Sequence, residues 1–168
     1  MSKPGGRRGS GGAQGPNSYE RGLSLLARRE HSARELERKL AAKGHAPAEA
    51  GAAIERLRDA HLQDDDRFAG SLARRRAAHG YGPRRIQAEL KSHGLGDAAV
   101  RLAIAGLDVD WDTLAADQLR RRHGGRAAQD PAERAARAGF LLRRGFDPAT
   151  VRAVTRAEVD GTGEEFDG

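Results

Sequence analysis

The chain has 168 residues, 38% hydrophobic and only 4% aromatic, with no cysteine and a formal net charge of +6. That is enough for one or two small domains with few large core side chains, and it excludes disulfides and thiolate metal sites. No apolar run is long enough to span a bilayer and the Gly-rich N-terminus lacks the apolar segment of a secretory signal, so a soluble, cytoplasmic protein is expected.

The charge is unevenly spread. Residues 1–18 carry three basic and no acidic side chains, residues 19–156 carry 27 basic against 19 acidic, and residues 157–168 carry five acidic and no basic ones. A basic body favours polyanions or an acidic protein face, through counterion release and steering. Solvated helix surface is the plainer explanation of the same charge. Much of the apolar content is alanine, which predicts a slender assembly of closely approaching helices.

Residues 1–18, MSKPGGRRGSGGAQGPNS, offer no apolar anchor and read as a disordered Gly/Arg-rich tail. No strand precedes their glycines and no Gly-Lys-Ser/Thr follows, so they are not a phosphate loop. From Tyr19 the pattern is helical, with Leu23 and Leu26 as the apolar stripe and Gly22 a weakness near the start. Ser32 and Glu35 open a second helix as a capping box, Leu36 and Leu40 form its stripe, and Gly44 stops it. Pro47 begins a third helix to about Ala60, with Ile54 and Leu57 inward.

This unit recurs. Gly44, Gly94 and Gly145 lie 50 and 51 residues apart, each four residues after a leucine: Leu40, Leu90 and Leu141. Pro47, Asp97 and Pro148 restart a helix three residues after each glycine. In the second copy, Asp64–Asp66 begin one helix and Gly82-Pro83 the next, whose face is Ile86 and Leu90. In the third, Trp111, Leu114 and Leu119 mark a helix ending near Arg122, Asp130-Pro131 with Glu133 starts another, and Arg137 stands where Leu36 and Ile86 stand in the other copies. The expected fold is all-α: three tandem three-helix, helix-turn-helix-like repeats (19–63, 64–107 and 108–156) in an elongated, curved array, with an acidic disordered tail over 157–168.

Catalytic chemistry is not indicated. The six histidines form no ligand spacing, and His31, His93 and His123 are placed near helix C-termini, where a cation suits the dipole. Asp64-Asp65-Asp66 reads as helix capping rather than a cation site, and no nucleophile elbow occurs. Neither an enzyme nor a cofactor or metal is expected. What remains is surface: Arg28-Arg29, Arg74-Arg75-Arg76, Arg120-Arg121-Arg122 and Arg143-Arg144 all fall near helix C-terminal ends, where they satisfy the dipole and could form a stripe. Arg84 and Arg85 sit in a first turn, where the dipole disfavours them, which makes them stronger functional candidates. Sequence-specific DNA reading is disfavoured, because the third helices AEAGAAIERLRDA and DAAVRLAIAGL are poor in base-reading groups.

The run DDDRFAGSLARRRAAHGYGPRRIQAELKSHGL resembles the central signature of the bacterial RecX regulatory proteins, in Arg67-Phe68-Ala69, Gly80-Tyr81-Gly82-Pro83, Arg85-Ile86, Glu89-Leu90 and Gly94. LLARREHSARELERKL in the first unit and FLLRRGF in the third are similar to the family as well. The resemblance implies tandem three-helix units that bind the RecA recombinase filament on DNA and suppress its ATPase, strand-exchange and co-protease activities. Arg28, Arg29, Arg74, Arg75, Arg76, Arg84 and Arg85 are the candidate contacts to filament or DNA, chosen as surface and not carried over from the family. Single- and double-stranded DNA are further candidate partners; no membrane partner is expected, and the protein is read as a monomer. The alternative is a non-specific DNA-binding protein that inhibits by DNA competition; a third is a scaffold that binds neither.

Overall fold

A computed structural model describes residues 15–160. The tail expected over residues 1–18 thus lies almost wholly outside the described residues, as do residues 161–168 of the acidic tail. Among the described residues there are nine helices and no strand: α1 (Ser18–Leu26), α2 (Ala33–Ala41), α3 (Pro47–Asp59), α4 (Asp65–Ala78), α5 (Pro83–Ser92), α6 (Asp97–Ala105), α7 (Trp111–His123), α8 (Pro131–Arg143) and α9 (Pro148–Asp160). The last helix runs four residues past Arg156, so residues 157–160 are helical. The chain divides into two compact units, residues 1–63 with α1–α3 and residues 64–168 with α4–α9. In each triplet the first helix packs on the third.

In the first unit, α1 opens on a reciprocal capping box. Asn17 accepts from the Glu20 N–H and the Glu20 carboxylate accepts from the Asn17 N–H. Of the expected Leu23–Leu26 stripe only Leu26 turns inward: Leu23 is 40% exposed, and the buried residues of α1 are Ser18 and Gly22. A Cβ on Gly22 would stand 2.7 Å from Leu57 Cδ1, so this glycine is the close approach of α1 to α3. Leu36, Leu40, Ala50 and Ile54 form the core, with Leu25 and Leu26 against it.

Buried beside that core is an ionic cluster. The Glu35 carboxylate accepts from Arg29 at 2.5 and 3.1 Å, faces His31 Nδ1 at 3.0 Å and pairs with Lys39 at 3.2 Å. Burial alone would raise the Glu35 carboxyl; the Arg29 hydrogen bonds and the charges of His31, Lys39 and Arg29 prevail and hold it at about 2. His31 is 2% exposed and precedes the α2 N-cap Ser32, so it lies at a helix start and not near the C-terminus the sequence suggested.

The second unit has two cores. Phe68, Leu72, Ala73, Ile86, Leu90 and Val100 close α4–α6, and Ala115, Leu119, Leu141, Phe146, Val151 and Val154 close α7–α9. Asp64 caps α4, its Oδ1 accepting from the N–H groups of Asp66 (2.8 Å) and Arg67 (3.0 Å). The three recurring glycines take left-handed φ values of 88° (Gly44), 82° (Gly94) and 89° (Gly145), where a side chain would be strained. Arg137 is buried at the position of Leu36 and Ile86, its guanidinium donating to Glu158 (2.7 Å) and Glu133 (2.9 Å).

The two halves of this unit meet at a glycine seam. Gly82 N–H donates to the Arg144 carbonyl (2.9 Å) and Arg84 N–H to the Gly145 carbonyl (3.0 Å). A Cβ on Gly82 would overlap the Gly145 carbonyl and the Phe146 nitrogen, and one on Gly145 would overlap Arg85. Arg144 returns across the seam, donating to the carbonyls of Gly80 (3.0 Å) and His79 (2.7 Å) with its guanidinium over the Tyr81 ring at 4.7 Å.

Gly82→Ala must therefore displace backbone, and we expect it to cost about 2 kcal/mol of stability. Gly51→Ala, at an open helical position of α3, should instead raise stability by about 0.5–1 kcal/mol. Paired thermal melts decide; an unperturbed Gly82→Ala protein would mean that the seam can open without cost. Arg137→Ala removes the partner of two carboxylates and leaves a void, which should cost about 3 kcal/mol in urea unfolding. Arg137→Leu, which restores the apolar residue of the other copies, should cost less. Because the Glu35 carboxyl is held below its ordinary 4.5 in the folded chain, its contribution is complete above pH 4.5 and is lost as pH falls towards 2. Glu35→Gln should flatten the acid limb of a stability–pH curve over that window.

Candidate interaction surface

The seven candidate arginines do different work. Arg28, in the turn after α1, and Arg74 and Arg75, on α4, are exposed and make no ion pair among the described residues. Arg29 is engaged by Glu35. Arg76 donates to Glu89 through Nε (2.7 Å) and Nη2 (2.5 Å), a two-pronged bond that raises the arginine and lowers the carboxyl. Arg84 donates to Asp147 at 2.6 Å, and Arg85 lies over the Tyr81 ring at 4.6 Å. The last two thus have structural partners at the seam, where Asp147 and the C-terminal end of α8 offset the dipole of α5.

The second triplet does not gather its five candidates into one patch. Arg76 and Arg85 line a cavity of about 420 Å³ with Tyr81, Ala88 and Glu89. Arg84 lines another of about 700 Å³ with Gln87, Arg101 and Asp147 over a floor of Val100, Ile104 and Ala105. Arg74 borders a third, of about 300 Å³, between α4 and α6, where Asp66, Gly70, Leu102 and Gly106 complete the wall.

Of the remaining clusters, Arg144 is spent on the seam, Arg120 pairs with Asp117, and Arg122 stacks over Phe140 at 4.6 Å. Arg121 and Arg143 are exposed without an ion pair among the described residues. Two groups escaped the sequence reading: Arg101, which joins Arg84 in one groove, and Leu102, 72% exposed on α6. The α6 sequence DAAVRLAIA is apolar on every side, so periodicity does not distinguish the buried Val100 from the exposed Leu102. Arg101 has a signal only in hindsight, as the lone cation of that helix. Among the described residues no cluster of three or more His, Asp or Glu is placed to hold a metal, and no helix is long and apolar enough to cross a membrane.

Family models for the three RecX three-helix domains match this chain in order: the first at residues 19–57, the second at 64–104 and the third at 108–155. The chain is 49% identical over 141 residues to "Regulatory protein RecX" of Xanthomonas campestris pv. campestris (strain B100), covering 84% of this chain and 87% of that one. It is 47% identical over 141 residues to the protein of the same name from Stenotrophomonas maltophilia (strain K279a), covering 84% and 86%. A crystal structure of RecX from Lactobacillus salivarius superposes with a TM-score of 0.69 at 21% identity, over 84% of this chain and 94% of that one. A crystal structure of regulatory protein RecX gives 0.70 at 21% identity, over 83% and 70%. With all three domains matched in order and nearly half of the 141 aligned residues identical in curated relatives, the chain belongs to the RecX family of regulatory proteins.

Proposed function

We propose that this protein is a negative regulator of the RecA recombinase, a cytoplasmic monomer that binds along the RecA–DNA filament and inhibits its ATPase, strand-exchange and co-protease activities. The observation that carries this reading is the full set of three RecX domains in tandem. Inhibition by contact also suits a chain whose arginines lie on several shallow faces. Domains on one chain add weak contacts through effective concentration, without any one of them being strong.

Arg28, Arg74 and Arg75 are the contacts to filament or DNA that need surrender nothing to bind. Arg29, Arg76, Arg84 and Arg85 would have to share their present partners.

The deciding experiment is the DNA-dependent ATPase of a cognate RecA on single-stranded DNA, titrated with this protein at two concentrations of free DNA. Inhibition well below one molecule per recombinase, persisting with DNA in excess, is the expected result. Inhibition abolished by excess DNA would instead identify a non-specific DNA binder acting by competition, a reading favoured only by the basic body. Arg74→Ala/Arg75→Ala should raise the half-inhibitory concentration about tenfold, the equivalent of about 1.4 kcal/mol, with unchanged helicity and melting temperature. Arg84→Ala/Arg85→Ala should lower the melting temperature as well, since both side chains hold the seam.

A further inference from the structure

Helix α6 packs against α4 and α5 and turns its remaining side outward, with Leu102 exposed at its centre. Ala98, one turn before, and Ala105, one turn after, are exposed too, which leaves an apolar ridge along the helix. A groove with an arginine in it runs along each flank. The one toward α4, about 300 Å³, holds Arg74, and the one toward α5, about 700 Å³, holds Arg84 and Arg101. Gly70 shapes the first: a Cβ there would stand 3.2 Å from Arg74 Nη1, so the missing side chain leaves the space in which the guanidinium lies.

Carboxylates do not cancel this rim. Asp147 is bonded to Arg84 (2.6 Å) and Asp97 to Lys91 (2.9 Å). Asp66, which also lines the α4–α6 groove, stands in the first turn of α4, two turns from Arg74, where the helix dipole offsets its charge. Arg74, Arg75 and Arg101 make no ion pair among the described residues. An exposed leucine between uncommitted arginines is the pattern of a protein interface, an apolar centre inside a polar rim in which arginine is favoured. Nucleic acid suits the ridge less. Ala98, Leu102 and Ala105 offer no ring for bases to stack on and no hydrogen-bonding group to read a base edge.

We propose that the outer ridge of α6 is the docking face for an acidic protein surface, with Leu102 entering an apolar pocket of the partner and Arg74 and Arg101 meeting carboxylates on either side of it. The inference rests on the regulatory reading above and places that surface on the recombinase, not on the DNA it coats. Leu102 stands uncovered in the folded chain, so its burial asks for no repacking of α6.

The test is ATPase inhibition of the cognate RecA on single-stranded DNA, with free DNA in excess, by Leu102 variants of the full chain. Leu102→Ala should raise the half-inhibitory concentration about tenfold, and Leu102→Asp about a hundredfold, because the aspartate adds repulsion to the lost apolar contact. Leu102→Lys, whose charge has the favoured sign, should do no worse than Leu102→Ala. All three should keep the melting temperature, since the residue is exposed, and Leu102→Ala should bind a fluorescent single-stranded oligonucleotide as the wild type does. Undiminished inhibition by Leu102→Ala, or better inhibition by Leu102→Asp than by Leu102→Lys, overturns the proposal. So does a loss of inhibition matched by an equal loss of oligonucleotide affinity, which would hand the ridge to nucleic acid. A wild-type dimer that Leu102→Ala converts to monomers in sedimentation would hand it to a second copy, with the same consequence. A wild-type chain that does not inhibit at all overturns the regulatory reading and this inference with it, whereas an inhibitor indifferent to Leu102 overturns this inference alone.

Discussion

The second unit depends on three helix ends satisfying one another. The N-terminus of α5 has backbone donors without intrahelical partners, and the C-termini of α4 and α8 have carbonyls in the same condition. At the seam, Gly82 and Arg84 N–H groups take the carbonyls of Arg144 and Gly145, while the Arg144 guanidinium takes those of His79 and Gly80. The positive end of α5 therefore meets the negative end of α8, and a cation meets the negative end of α4. Such contact between main chains leaves no room for Cβ atoms, which is why Gly82 and Gly145 face each other. The Gly80-Tyr81-Gly82-Pro83 signature is thus a docking device before it is anything else. Tyr81 completes it as the ring on which Arg85 and Arg144 lie.

This explains an apparent conflict at Arg84 and Arg85. Two cations in the first turn of a helix look misplaced when that helix is considered alone, and a functional role is the natural inference. In the folded chain the field they experience includes the carbonyl end of α8 and the Asp147 carboxylate, both from a segment some sixty residues away. Sequence reasoning is blind to that neighbour because it treats each helix dipole as isolated.

Other features were legible for the opposite reason, that their cause is local. The Leu40–Gly44, Leu90–Gly94 and Leu141–Gly145 pairs encode an apolar anchor and a left-handed stop within one turn, and all three behave as written. Asp64 and Asp130 cap the helices they precede. Arg137 was placed at a core position by counting alone, and it is buried there because Glu133 and Glu158 receive its fork. Gly22 misled, since a glycine near a helix start reads as weakness until Leu57 of α3 is seen against it. Which arginines remain free was not legible at all. Arg76 is committed by Glu89, 13 residues on, and Arg29 by Glu35 across a turn, whereas Arg74 and Arg75 make no ion pair among the described residues.

The partition of arginines bears directly on what a partner of this surface must offer. An arginine held by a carboxylate inside the fold has already surrendered part of its solvation and its rotamer freedom, and a partner must offer more than that carboxylate to win it. A free arginine on a rigid helix asks for less. Binding should therefore be dominated by the uncommitted cations and by apolar groups that stand exposed, of which Leu102 is the largest instance in the second unit. Arg74 and Leu102 border the same groove between α4 and α6. A charge that steers and an apolar group that is desolvated on contact thus sit side by side, the combination that gives a protein face both on-rate and residence.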